Sequence, residues 1–336
     1  MNSYVKYKDI VLPNLKKNFL TEAEVFTELY ANVSSIESYV ARPTVGAYPK
    51  SVPRELLQKG YYFEDSDDVI FASYDILGRE VSLTHKLGLA LDIGRFYIND
   101  HSHGRQYGYR YGVSLHYDKW IVRLGQNHYD EFSEFVPTIR YTDKYGKHEY
   151  QIEYTRQNAL FYVFRESVLD QQITTNHFSV SDSISWRNKT SLWANFELNA
   201  YSNNDTEITV QYDWKFFYDK MRNIDFSYGF ALEGWYDSHS KQIKKLYYSP
   251  KFADTTIVRL DTEYRLSKYL NIRAFAGAGY SFYDKYVPYK YGIHLFSNEI
   301  DSLLYDMGCL YSNSLRNSSS ANYNYIECNF LLGYTW

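Results

Sequence analysis

Apolar and polar residues alternate through most of this chain with a period of two, the spacing that sends successive side chains to opposite faces of a strand. Between Leu83 and Gly94, Leu87, Leu89, Leu91 and Ile93 share one face, and Gly88, Ala90, Asp92 and Gly94 share the other. A helix would scatter those aliphatics around its circumference; a strand collects them. Tyr107, Tyr109, Tyr111, Val113 and Leu115 alternate in the same way with Gly108, Arg110, Gly112, Ser114 and His116. Asp118-Lys119 then reads as a tight turn into a strand starting near Trp120, and Thr142 to Lys147 as a turn into the strand of Tyr150, Ile152 and Tyr154. Leu192 to Ala200, Ile208 to Phe216, Phe226 to Leu232, Val258 to Tyr264 and Leu270 to Ala278 repeat the pattern.

The opposite faces carry charge. Arg or Lys against lipid at mid-membrane costs about 2–4 kcal/mol. In a membrane barrel Arg110, Arg259, Arg265, Arg273, Asp92, Asp213, Asp225 and Glu263 must therefore point into the lumen, and their aliphatic neighbours toward lipid. The lumen is then of mixed sign, rich in Gly, Ser and Thr, and suited to water.

Composition strengthens this reading over a soluble β-sandwich. Tyr accounts for 38 of 336 residues and aromatics for 19%, and Tyr and Trp suit strand ends at a membrane–water boundary. The mean hydropathy of −0.50 and the absence of any apolar stretch near 18 residues exclude helical spans. The densest short run goes only from Ala159 to Phe164. A barrel tolerates low hydropathy because only alternate residues meet lipid. A net charge of −4 and a pI near 6.2 give no reason to expect nucleic acid as a partner. Cys309 and Cys328 lack metal-knuckle or redox spacing; both fall on the outward face and read first as small apolar wall residues, with a disulfide as the alternative. No cofactor or metal is expected.

The predicted fold is an all-β transmembrane antiparallel barrel of about 16 strands, with fourteen a near alternative, in a bacterial outer membrane. Residues 1–20 are expected to form a linker or periplasmic segment and 21–336 the barrel. The stretch Arg42 to Gly60 is weakly patterned and open between linker, loop and plug. Asp237 to Ala253, Tyr283 to about Asn298 and Arg316 to Ala321 read as loops. The start of the chain has no apolar signal core, so a truncated form or the C-terminal part of a longer polypeptide is expected. Ile326, Cys328, Phe330, Leu332, Tyr334 and Trp336 form an uninterrupted outward face ending on an aromatic. Phe330, Leu332, Tyr334 and Trp336 are the expected signal to the barrel assembly machinery.

Two stretches carry a more specific resemblance. The first, Arg165-Glu166-Ser167-Val168-Leu169-Asp170, follows an expected strand pair over Glu149 to Phe164. The second, Leu246-Tyr247-Tyr248-Ser249-Pro250-Lys251-Phe252, opens the run that ends in Ala274 to Tyr280. In order and spacing they resemble the C-terminal barrel of the tetratricopeptide-repeat exopolysaccharide export porins, the cellulose and poly-N-acetylglucosamine type. Arg165, Ser167 and Asp170 match the first family pattern in part, and the Tyr-Tyr-Ser-Pro stretch matches the second better. The resemblance spans roughly Tyr107 to Trp336, with no repeat-bearing region in the sequence. It implies a non-enzymatic pore for passive export of a polysaccharide, with outer-membrane lipid, a periplasmic repeat domain and an inner-membrane synthase as partners. Sugars stack on aromatic rings and hydrogen-bond to charged groups, so the lumen candidates are Arg165, Asp170, Trp193, Asp213, Glu233, Trp235, Tyr247, Arg259, Asp261, Glu263 and Arg273. Against a glycan role for each charged residue stands an ion pair that braces the barrel interior. Two other functions fit a barrel: translocation or display of surface proteins and lipoproteins, and a barrel enzyme acting on lipids. The last needs a Ser/His constellation; His85, His101, His103, His116, His128 and His177, with Ser102 and Ser179, form no nucleophile motif.

Overall fold

The structure, a computed structural model, describes residues 56–336 except for 79–80, 84–86, 102–103, 187–189, 222–224, 244–246, 268–269, 298–302, 315–322 and 335–336. Sixteen antiparallel strands make up the wall. They are β1 (Leu56–Asp65), β2 (Val69–Gly78), β3 (Leu87–Asp100), β4 (Gly104–Tyr117), β5 (Trp120–Tyr129), β6 (Ser133–Tyr145), β7 (His148–Asn158) and β8 (Thr174–Ser185). The second half comprises β9 (Ser191–Tyr201), β10 (Thr206–Lys220), β11 (Phe226–His239), β12 (Ala253–Arg265), β13 (Leu270–Tyr280), β14 (Tyr289–Ser297), β15 (Leu303–Ser312) and β16 (Tyr325–Tyr334). A two-residue piece, Val81–Ser82, extends the pairing of β2 along β3. Each strand pairs with its sequence neighbours, and β16 returns to β1 with Gly60 opposite Phe330 and Tyr62 opposite Cys328. Closure leaves no strand edge unpaired, which is the condition for β-structure in hydrocarbon.

The faces follow the alternation. Tyr109 is 63% exposed and the adjacent Arg110 is 1% exposed. Leu91, Ile93, Tyr107, Tyr111, Leu124, Phe135, Val258 and Ile293 lie on the outer surface, while Asp92, Arg123, Asn195, Glu197, Asp213 and Arg259 are buried inside. Among the described residues no helix is long and apolar enough to cross a membrane; the strands do the crossing. The outer apolar belt with a polar, charged interior is the architecture of a bacterial outer-membrane barrel.

Connections are unequal at the two rims. The rim where β1 begins and β16 ends, here the proximal rim, carries tight hairpins such as Asp118-Lys119 and Gly146-Lys147. Gly146 has φ 63°, as a two-residue hairpin demands. The distal rim carries the long segments 159–173, 240–252, 281–288 and 313–324. Short periplasmic turns and long outer loops are the rule for such barrels, so the distal rim faces the exterior.

Several expectations change. Barrel structure begins by Leu56, so the weakly patterned stretch ending at Gly60 runs into β1; the boundary at residue 20 and the segment before it lie outside the described residues. The turn expected from Thr142 shrinks to Gly146-Lys147, because Tyr141 and Asp143 continue the outer face of β6. The loop expected from Tyr283 to Asn298 contains β14, whose outward Tyr291, Ile293 and Leu295 alternate with buried Lys290, His294 and Phe296. In β10 a bulge between Lys215 and Phe217 breaks the alternation, so Phe216 and Phe217 are both exposed. Arg265 and Asp225 sit exposed at the proximal rim rather than inside the lumen. Cys309 and Cys328, opposite each other on β15 and β16, form a disulfide on the outward face; period-two reading finds the face but not the cross-strand register that joins the sulfurs. Phe330 is outward, Tyr334 pairs at the end of β16, and Trp336 lies outside the described residues.

Candidate translocation pathway and its strap

The inner wall is braced by buried ion pairs that skip across strands. Arg110 of β4 grips Asp75 of β2 over the intervening β3. Arg123 of β5 reaches Asp92 of β3 through Nε at 2.9 Å and Nη2 at 2.6 Å. Arg140 meets Glu153 on the neighbouring strand at 2.5 Å. Bidentate geometry and burial make such bonds strong, but two desolvated charges cost nearly what their attraction returns. Their clear effect is on removal of one partner, which strands a buried charge.

Arg259 forms the largest such node and gathers four of the sequence candidates. Its Nη2 meets Asp213 at 2.9 Å, its Nη1 Glu233 at 2.6 Å, and its Nε Asp261 at 2.6 Å. Lys290, in the stretch read as a loop, adds Nζ to both Glu233 oxygens at 2.8 and 2.9 Å. Arg259 and Lys290 both lie near the Phe275 ring, at 5.7 and 5.6 Å from its centroid, within cation–π range. With Arg259 1% exposed, this is the geometry of a wall brace. Glu263 and Arg273 form a looser pair at 3.4 Å closer to the proximal rim, with side chains 30% and 11% exposed. Trp193 is buried on the inner face of β9, and Trp235 is half-buried on the inner face of β11.

The other candidates lie on distal connections. Segment 159–173 leaves β7 and, instead of looping outward, folds into the barrel as two short helical turns, α1 (Leu160–Val163) and α2 (Ser167–Asp170). The reason is in its composition. Ala159 to Phe164 is the most apolar run of the chain, and all six side chains are buried. Phe161 packs edge-on to Phe71 and Phe96, with ring centroids at 6.1 and 5.1 Å. Phe164 lies 5.1 Å from Phe63, 4.9 Å from Phe71 and 6.0 Å from Tyr61. Those partners sit on β1, β2 and β3, across the closed sheet from the strands that hold the segment. It is a strap over the lumen, and the expected continuation of strand to Phe164 is corrected to an end at Asn158.

Two polar contacts fasten the strap. Arg165 Nη2 reaches Asp67 at 3.2 Å and Asp65 at 3.7 Å on the β1–β2 hairpin. Glu166 accepts from Gln106 Nε2 of β4 at 2.9 Å. Phe164 has φ 47°, a left-handed conformation disfavoured for a bulky residue. Its ring, filling the socket of Tyr61, Phe63 and Phe71, offsets that cost. Asp170 ends α2 and is exposed; it does not join Arg165.

Tyr247 is drawn inward by a second loop. Its hydroxyl donates to Asp205 at 2.9 Å, and the ring lies 5.4 Å from Tyr201 and 5.9 Å from His239. Burial opposes charge on Asp205. Bonds from the His239 ring, the Lys241 backbone N–H and Tyr247 outweigh it and hold the carboxyl down at about 2, so it is ionised at any working pH. Burial pushes the Tyr247 hydroxyl the other way, and it stays protonated.

Of the residues considered for an enzyme, His177 is buried and bonded to Asn199 at 2.8 Å. His128 meets Tyr111 and Ser133 on the exposed side of the wall at 3.0 and 2.6 Å. Ser179 is buried on the inner face of β8. His85, Ser102 and His103 lie outside the described residues.

No protein-family model matches this sequence, and no curated protein matches it. Solved structures do resemble the fold. CdiB from Acinetobacter baumannii superposes with a TM-score of 0.48 at 8% identity, over 83% of this chain and 60% of that one. An anion-selective porin from Comamonas acidovorans gives 0.44 at 8% identity, over 83% and 98%. A bacterial polysaccharide outer membrane secretin gives a TM-score of 0.66 at 9% identity, over 84% of this chain and all of that one. The likeness to the secretin establishes the fold: a closed sixteen-stranded barrel of the outer-membrane type.

Proposed function

We propose that this barrel is an outer-membrane export pore for a polysaccharide, and that the strap 159–173 is its gate. The observation that carries the reading is the strap itself. A loop that spans the lumen, packs on aromatic rings of the far wall and is pinned by Arg165 has a use in a conduit and none in a passive anchor. The strap also holds Arg165, Ser167 and Asp170, the residues of the first family resemblance. The fold likeness to a polysaccharide secretin over all of that chain supports the substrate class.

The inner surface suits a neutral polymer. Many of its charges are paired with each other, as at Arg123–Asp92 and Arg259–Asp213. Half-buried Trp235, with Glu263 and Asp261 partly exposed, offers ring faces and acceptors to passing sugars. Arg259, Asp213 and Glu233 shape the passage and hold the wall. Opening requires the Arg165 contacts to break and the Phe161 and Phe164 rings to leave their sockets. The test is planar-bilayer conductance with purified barrel. Wild type should show rare or small openings, strap-weakened variants large steady ones, and soluble glycan fragments should block the latter. Openings indifferent to glycan fragments would contradict the polysaccharide reading.

A further inference from the structure

At the distal mouth, away from the strap and the Arg259 node, β10 and β11 bring an unusual set of side chains together. Glu207 lies opposite His239 in the strand register, and Asp237 opposite Thr209. The period of two puts Glu207, Asp237 and His239 on the same inner face, and all three are buried. One ligand atom from each lies within 4.8 Å of the others. His239 Nε2 stands 3.5 Å from Asp237 Oδ2 and 3.9 Å from Glu207 Oε1. Both exceed the 2.7–3.2 Å of an N–H···O hydrogen bond. The shorter matches the separation of about 3.4 Å between two ligands that bind one tetrahedral cation at about 2.0–2.1 Å, and the longer must close by about half an ångström for the same cation.

The surroundings orient each group for that role. His239 Nδ1 lies 2.8 Å from Asp205 Oδ2. The Asp205 carboxylate is an acceptor, so Nδ1 donates to it and Nε2 is the nitrogen that faces Glu207 and Asp237. This is the carboxylate–imidazole arrangement found behind metal-bound histidines. Asp205 is itself fixed by the Lys241 N–H at 2.9 Å, Ser240 Oγ at 3.0 Å and the Tyr247 hydroxyl. Glu207 Oε2 takes bonds from the Tyr201 hydroxyl and from Asn199 Nδ2 at 2.7 Å, and its Oε1, which also accepts from Thr209 Oγ1 at 3.4 Å, faces His239.

We propose that Glu207, Asp237 and His239 bind one divalent transition cation of the zinc class, fixing Lys241 and Tyr247 of the β11–β12 connection through Asp205. One imidazole nitrogen with two carboxylates selects such an ion over calcium or magnesium, which take oxygen-only sets. That connection would then be tied down by the metal as the strap is by Arg165.

The experiment is competition of the folded, detergent-solubilised barrel against a chromophoric zinc chelator, repeated for His239→Gln, Asp237→Asn and Tyr247→Phe. Folding is checked by heat-modifiable migration on gels. Wild type should take one zinc per chain. His239→Gln and Asp237→Asn should lose at least about 100-fold in affinity, and Tyr247→Phe, which acts through Asp205, about 10-fold. X-ray absorption of the zinc-loaded protein should show nitrogen and oxygen neighbours only. The proposal is overturned if folded wild type takes up no zinc, if His239→Gln binds it as tightly, or if excess calcium displaces it.

Discussion

Arg259 shows how fully one residue of this wall can be occupied. Its guanidinium serves Asp213, Glu233 and Asp261 while 1% exposed. Replacing it with Ala leaves three carboxylates around an empty site, and loss of one partner of a buried pair costs about 3–5 kcal/mol. Arg259→Ala should therefore lower the unfolding midpoint of the barrel in urea well beyond any change caused by Arg265→Ala, whose parent is exposed at the proximal rim. Equal midpoints for the two variants would remove Arg259 from the brace. Arg165 plays a different part, because its two carboxylate contacts are on the β1–β2 hairpin and not on its own side of the barrel. Arg165→Ala should raise the frequency of open-channel events, which single-channel recording would count.

The strap and the closing strands show what an element can do that its residues alone do not announce. Phe164→Ala should empty the socket of Tyr61, Phe63 and Phe71 and leave the left-handed backbone without the packing that offsets it. Openings should lengthen more than in Arg165→Ala, since the rings supply most of the contact. The disulfide joins β15 to β16 across a sequence separation of 19. A loop of that order is worth about 3 kcal/mol in the chain-entropy account. Without reductant neither thiol should react with an alkylating reagent in denaturant, and Cys328→Ser should lower the midpoint by up to that amount. Period-two alternation makes the strands and their faces legible, because a barrel wall depends on little else. It does not reveal the strap, since Ala159 to Phe164 is as apolar as a buried strand and only the far-wall rings show why it turns inward. Nor does it separate β14 from a loop, because only Tyr291, Ile293 and Leu295 carry the outward pattern there, beside Pro288 and Gly292, and it does not reveal the Glu207–Asp237–His239 set, which depends on the register between β10 and β11. Alternation alone puts Asp213, Glu233, Arg259 and Asp261 inside, but their mutual pairing follows from how β10, β11 and β12 align, which no single strand encodes.

The barrel as a whole is closed, with an apolar outer belt, an inner wall braced by paired charges and a strap that folds inward at the distal rim. Those features fit slow, regulated passage of an uncharged chain better than free diffusion of small ions. The decisive measurement is the steady-state conductance of the barrel lacking 161–171, with a short Gly-Ser bridge in their place. If the strap closes the lumen against a polysaccharide, this variant has a large, stable conductance that wild type lacks, reduced stepwise by added β-linked glucan or N-acetylglucosamine oligomers. A strapless barrel with the conductance of wild type, or one that glycan oligomers leave untouched, would contradict that closure.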